Sequence, residues 1–152
     1  MDKLHLVVLD FENYRKGFPL WSVIYVKIDD KCFPDDQWWD ATSSILEMWA
    51  NNLASFLCEC EDSCTLDFMD GDYTIRIERT ASKHIKATFK KTSSIVLCCD
   101  SIDLVYFIRQ ILSAAERLKN STTEIKNSRM IERLSYEVDK LRMMLRQHNT
   151  KH

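Results

Sequence analysis

The spacing of the apolar residues changes period three times along this chain, and that order confines the fold more than any single motif. Extended apolar segments at 4–12 and 21–28 give way to a helical stripe; extended segments then return, and helical stripes finish the chain. In the first stripe Leu46, Trp49, Leu53 and Phe56 recur at 3-4-3 spacing, with Ile45 and Leu57 widening it. That spacing predicts an amphipathic helix over about 36–58. Pro34-Asp35-Asp36 is its expected start, because an aspartate can accept from the free N–H groups and clustered acids suit the positive end of a helix dipole.

The extended segments carry their own signals. Trp21-Ser22-Val23-Ile24-Tyr25-Val26-Lys27-Ile28 is β-branched and aromatic, as a half-buried or fully buried strand should be, and Lys16-Gly17-Phe18-Pro19 supplies the turn that pairs it with 4–12. Leu66 and Phe68 lead into Asp70-Gly71, a strong hairpin signal because both residues tolerate positive φ. Tyr73, Ile75 and Ile77 then alternate with Thr74, Arg76 and Glu78, and Ile85, Ala87 and Phe89 alternate with Lys86, Thr88 and Lys90. Alternation of this kind packs one sheet face and wets the other. Residues 94–99 form a continuous apolar strand.

Asp100-Ser101 is the expected cap of a second helix, whose stripe is Leu104, Phe107, Ile108, Ile111, Ala115 and Leu118. After the break at 120–123, Ile131, Leu134, Val138, Leu141 and Leu145 follow a short heptad pattern. Strands cluster and helices do not alternate with them. The expected fold is therefore α+β, an antiparallel sheet of about six strands covered on one face by two helices, with a long C-terminal helical arm. Residues 1–120 form the expected domain and 121–152 the arm, which docks partly or pairs with a second chain through 123–148. On this reading, deleting 123–152 leaves a folded domain.

Composition narrows the function classes. Two Gly and two Pro in 152 residues exclude collagen-like and glycine-loop designs, and almost no bare backbone is left to cradle a phosphate. The N-terminal apolar run is short, lacks a basic leader and ends at Asp10, so it reads as a strand and not a signal peptide. No stretch reaches membrane-spanning length, and six cysteines without an export signal imply reduced thiols and a cytoplasmic protein. The net charge of −2 hides an asymmetry: residues 1–75 carry 5 Lys/Arg against 15 Asp/Glu, and 76–152 carry 16 against 8. Either the halves pair in the fold or one presents a charged interaction face.

Chemistry-bearing constellations are weak. Cys58, Cys60 and Cys64 with Cys98-Cys99 could approach a four-thiolate zinc site, but their spacing is not that of a zinc knuckle, and adjacent strand cysteines point to opposite faces. His5, His84, His148 and His152 fall in no catalytic pattern, although a Cys98–His84 pair is conceivable. Asp67, Asp70 and Asp72 lack the order of a calcium loop. No catalytic residue, metal ligand or cofactor is therefore expected. Arg76, Lys86 and Lys90 line a wet sheet face without aromatic partners, and Arg129, Arg133, Lys140, Arg142 and Arg146 are interleaved with acids, which argues against nucleic acid.

Protein binding is the remaining class. Trp38 and Trp39 cannot both face a core, and an aromatic beside Asp35, Asp36 and Asp40 suits an interface anchor with an acidic rim. The phrases Phe33-Pro34-Asp35-Asp36-Gln37-Trp38-Trp39-Asp40, Met48-Trp49 and Leu66-Asp67-Phe68-Met69-Asp70-Gly71-Asp72-Tyr73 followed by Ile75 resemble small bacterial immunity-type proteins encoded beside secreted polymorphic toxins. The likeness spans about 21–115 and departs at Asp72, where a proline would be expected. It implies a cytoplasmic, non-enzymatic protein that binds and neutralises a cognate toxin. The expected contact residues are Asp35, Asp36, Trp38, Asp40, Asp70 and Asp72, and the expected partner is a basic toxin domain. A scaffold domain dimerising through its C-terminal helix and a small zinc-binding or enzymatic domain are the alternatives.

Overall fold

Strand β2 (Ser22–Ile28) organises the first of two antiparallel sheets in the computed structural model, which describes residues 1–59 and 61–151. It pairs with β1 (His5–Leu9) on one side. On the other side it pairs with β3 (Lys31–Phe33) at one end and β4 (Trp39–Asp40) at the other. The second sheet is an up-and-down meander of β5 (Ser63–Asp67), β6 (Tyr73–Arg79), β7 (Ile85–Lys91) and β8 (Ser94–Cys99). The class is α+β, as expected. The single six-stranded sheet is corrected to two four-stranded sheets, because helix α1 (Thr42–Leu57) separates the strands in sequence and, among the described residues, no β-ladder joins β1–β4 to β5–β8.

Phe33 bridges the two sheets without a ladder. Its ring meets Phe68, Tyr73 and Phe89 edge-on at 5.8, 5.7 and 5.1 Å. Such contacts add to the burial of large rings. The N-terminus adds a second tie: Asp2 N–H donates to Ser101 O at 2.8 Å, and Asp103 N–H returns to Asp2 O at 2.9 Å.

Helix α1 begins at Thr42, not at Asp36. The segment expected as its first turn is drawn away, since Trp39 and Asp40 pair with Val23 and Ser22 of β2. Ala41 holds the cap position and has no side-chain acceptor to offer; Ser43 Oγ instead accepts from Leu20 N–H at 2.9 Å. At the other end Arg79 lays its guanidinium 3.9 Å from the Phe56 ring and donates to Phe56 O at 2.6 Å, closing the helix with a cation. The helical stripe itself is buried as expected, with Ile45, Leu46, Trp49, Leu53 and Phe56 shielded from solvent.

Helix α2 (Leu104–Lys119) is capped by Asp103, whose Oδ1 accepts from Tyr106 N–H at 3.0 Å; the cap lies past the expected Asp100-Ser101. A single turn, α3 (Thr123–Lys126), precedes α4 (Arg129–Lys151). The boundary expected after residue 120 does not divide the core. Ile125, Met130, Ile131, Leu134, Val138, Leu141 and Leu145 belong to the same buried cluster as the α1, α2 and sheet residues. The stripe that a second chain would have needed therefore already faces its own domain. Among the described residues, no helix is long and apolar enough to cross a membrane.

Candidate functional site

Asp40 is where the structure departs most from the expected surface. It is fully buried, and its carboxylate accepts from four donors: Trp38 Nε1–H at 2.9 Å, Ala41 N–H at 2.7 Å, Met69 N–H at 3.0 Å and Asp70 N–H at 3.1 Å. It pins the Met69–Asp70 turn onto β4 and has no exposed edge to offer a partner. A buried carboxylate is tolerable only when hydrogen-bonded in this way.

The same bonds bring two sequence-distant acid clusters to one corner. Trp38, half-buried, stacks edge-on against Tyr73 at 4.9 Å and lies over Gly71. Gly71 has φ +78°, and a Cβ there would come within 3.3 Å of both rings, so only glycine suits the turn. Asp35, Asp36, Asp70 and Asp72 are exposed, as expected for loop and hairpin tip. Asp35 also turns its own loop, accepting from Gln37 N–H at 2.8 Å. Arg133 of the basic half pairs with Glu47 of the acidic half at 3.8 Å.

Trp39, not Trp38, is the exposed tryptophan, at 41%. The two alternate across a strand rather than around a helix, so Trp38 points into the corner and Trp39 away from it. The register sets Leu9, Val23 and Trp39 in one cross-strand row, and Val7 with Tyr25 in the next. These side chains form the outer face of the first sheet, while Leu6, Val8, Ile24 and Val26 on the inner face join the core. His5, Lys27 and Cys32 make a third, polar row. Leu9 is 49% exposed. Partial burial, then the nearby Cys32 thiol and the Asp36 carboxylate, push the Tyr25 hydroxyl above its ordinary value. Asp10, directly after Leu9, is exposed.

Reading the sequence misses this face although a signal was present. Strand β2 is apolar on both sides, yet a sheet covered on one side has only one dry face to fill. The surplus Tyr25 and Trp39 had to end on the open side, while Val23 in the same row as Trp39 is covered to 8% exposure.

Thiol and cleft chemistry offers little competition. Among the described residues no three His, Cys, Asp or Glu groups are placed to hold a metal ion; Cys60 lies outside them. Cys98 is exposed and Cys99 buried, facing opposite ways as adjacent strand residues do. Burial is the main cause that raises Cys64 from 9.0 to about 12 and Cys99 to about 11, so both stay protonated thiols near neutrality. A thiol reagent at neutral pH should modify Cys98 readily and leave Cys64 and Cys99 intact until the chain unfolds. The folded state holds the Cys64 proton more tightly than the unfolded chain does. Stability is therefore complete below pH 9 and falls as pH rises towards 12, by about 4 kcal/mol at most. Urea titrations at stepped alkaline pH, with Cys64→Ala flattening the decline, check this. A surface cleft of 760 Å³ beside the start of α1 sets Lys16, Arg129 and Arg133 against Glu47 and Glu124 and has no dominant charge.

Compared with known protein families, curated proteins and solved structures, the chain matches none.

Proposed function

We propose that this chain is a protein-binding module of the immunity kind, which captures and neutralises a basic toxin domain in the cytoplasm by direct contact. The observation that supports it is the outer face of the first sheet, where Trp39 and Leu9 are exposed, Tyr25 and Val7 are half-buried and Val23 is covered, with the exposed Asp10 directly after Leu9 and the exposed Asp35 and Asp36 in the loop just before Trp39. Binding surfaces concentrate energy in a few aromatic anchors and use surrounding charge for speed and selectivity. The acids at the hairpin tip, Asp70 and Asp72, extend the negative field from the neighbouring corner. The resemblance to immunity-type proteins supplies the class of partner; the surface supplies a means of holding it.

The two parts of the surface should separate kinetically. With the toxin domain encoded beside this chain's gene as analyte, Trp39→Ala should weaken binding by about 2 kcal/mol, roughly thirty-fold, mainly through faster dissociation. Asp35→Lys with Asp36→Lys should slow association instead, and added salt should reproduce that loss in the wild type. Trp38→Ala should cost folding stability more than affinity, since its ring lies in the corner. Binding that survives both surface changes would move the contact elsewhere. A chain that neither binds nor protects against the toxin would end the immunity reading.

A further inference from the structure

Two sheet edges in this fold, β1 and β5, are covered by side chains from the helices, and the long edge strand β8 is not. On β1, Gln110 of α2 accepts from Leu6 N–H at 2.7 Å and donates to Leu4 O at 3.1 Å, in the manner of an added strand. On β5, Trp49 and Asn52 of α1 donate to Asp67 O at 2.8 Å and Thr65 O at 2.9 Å. Strand β8 lies at the opposite edge of that sheet. Among the described residues no side chain hydrogen-bonds to its backbone. Its sequence, Ser94-Ile95-Val96-Leu97-Cys98-Cys99, carries no charge, proline or glycine, and Ile95 and Val96 are 63% and 54% exposed. A strand so apolar reads as a central one. At an uncovered edge it is a template for further pairing unless something blocks it. Its one irregularity, the bulge that leaves Val96 without a β7 partner, lies in the first half and leaves Leu97–Cys99 regular.

We propose that β8 pairs with β8 of a second copy of this chain, antiparallel about a two-fold axis near Val96 and Leu97, joining two four-stranded sheets into one of eight. The charge order along the strand selects this occupant. Lys90 and Lys91 stand beside its first residues, opposite Ile95 and Ser94. Asp100 follows its last residue, with Asp2 held at the same end by its bond to Ser101 O. Antiparallel self-pairing brings the lysine end of each β8 to the acidic end of the other, twice. A foreign strand of one sign would suit only one end, and parallel self-pairing would set like charges together. The contact is isologous, so it closes at the dimer and does not propagate into a fibre. It uses the second sheet and leaves the outer face of the first sheet open, so it stands whether or not that face binds a toxin.

The test is the mass of the full chain in solution by sedimentation and light scattering. The wild type should show twice 17.9 kDa across the micromolar range. Val96→Lys, a change at an exposed side chain, should return the mass to one chain without altering the circular dichroism spectrum, and its melting temperature should no longer rise with protein concentration as that of the wild type does. Lys91→Glu and Asp100→Lys should each weaken the dimer about tenfold, since each acts at two symmetric contacts, and the double reversal should restore it. Within one chain these two residues lie at opposite ends of the β7–β8 hairpin, so rescue has to come from the partner copy. A wild type of single-chain mass throughout, a dimer indifferent to Val96→Lys, or a double reversal no tighter than the single changes would each overturn the pairing.

Discussion

Asp40→Ala should cost about 4 kcal/mol of folding stability, a large fraction of what a domain of this size possesses. The substitution removes an acceptor shared by four N–H donors and puts nothing in its place. Each buried donor left without a partner costs about 1–3 kcal/mol, so the total is about 4 kcal/mol even if water reaches two of them. Asp40→Asn keeps the shape and one acceptor oxygen but turns an amide N–H toward backbone N–H groups, and should lose about half as much. Chemical denaturation of the two variants and the wild type measures both. Local changes should appear first at Trp38, whose indole loses its acceptor, and would show in tryptophan fluorescence. An exposed acid at an interface would give the opposite pattern, with stability unchanged within about 0.5 kcal/mol; that result would return Asp40 to the surface.

The burial of Asp40 also shows which part of the molecule was legible in its sequence. Local signals held wherever local physics decides. The 3-4-3 stripe of α1, the Asp70-Gly71 hairpin, the alternation in β6 and the stripe of α2 all lie where spacing places them. What failed was decided by partners distant in sequence. Asp35 and Asp36 resemble a helix start because acids favour that position, but Trp39 and Asp40 gain a ladder with β2, and the helix waits until Thr42. The division into two sheets was hidden for the same reason, since no local pattern states which strands share a ladder. Strand β8 is the clearest conflict: its composition asks for the centre of a sheet and its connectivity leaves it at the edge. Such conflicts between levels concentrate where a protein meets something else.

Deleting residues 123–152 should abolish cooperative folding, contrary to what the heptad stripe alone suggests. The stripe is short for a coiled coil and reads as an appendage, yet its five side chains, Ile131, Leu134, Val138, Leu141 and Leu145, and the neighbouring Met130 of the same helix are buried at 6% exposure or less. At about 1.5–3 kcal/mol for each buried aliphatic side chain, their removal takes away about 9–18 kcal/mol, comparable to or larger than the whole stability of a typical domain. The loss extends beyond those side chains. Helix α4 packs along α1, the most buried helix of the fold, and lysine and arginine at its rim reach both neighbours: Lys140 donates to Asn51 Oδ1 at 2.8 Å, and Arg142 pairs with Glu116 at 3.1 Å. Without α4 the apolar flank of α1 would face water. A truncated chain ending at residue 122 should give no sharp thermal transition and should bind a hydrophobic dye, as a chain with secondary structure but no packed interior does. Truncation after residue 146, beyond Leu145, removes none of the six buried residues and should melt within a few degrees of the full chain. The contrast between the two truncations separates loss of the buried stripe from mere shortening. A cooperative transition in the shorter one would mean that the sheets, α1 and α2 hold a core of their own.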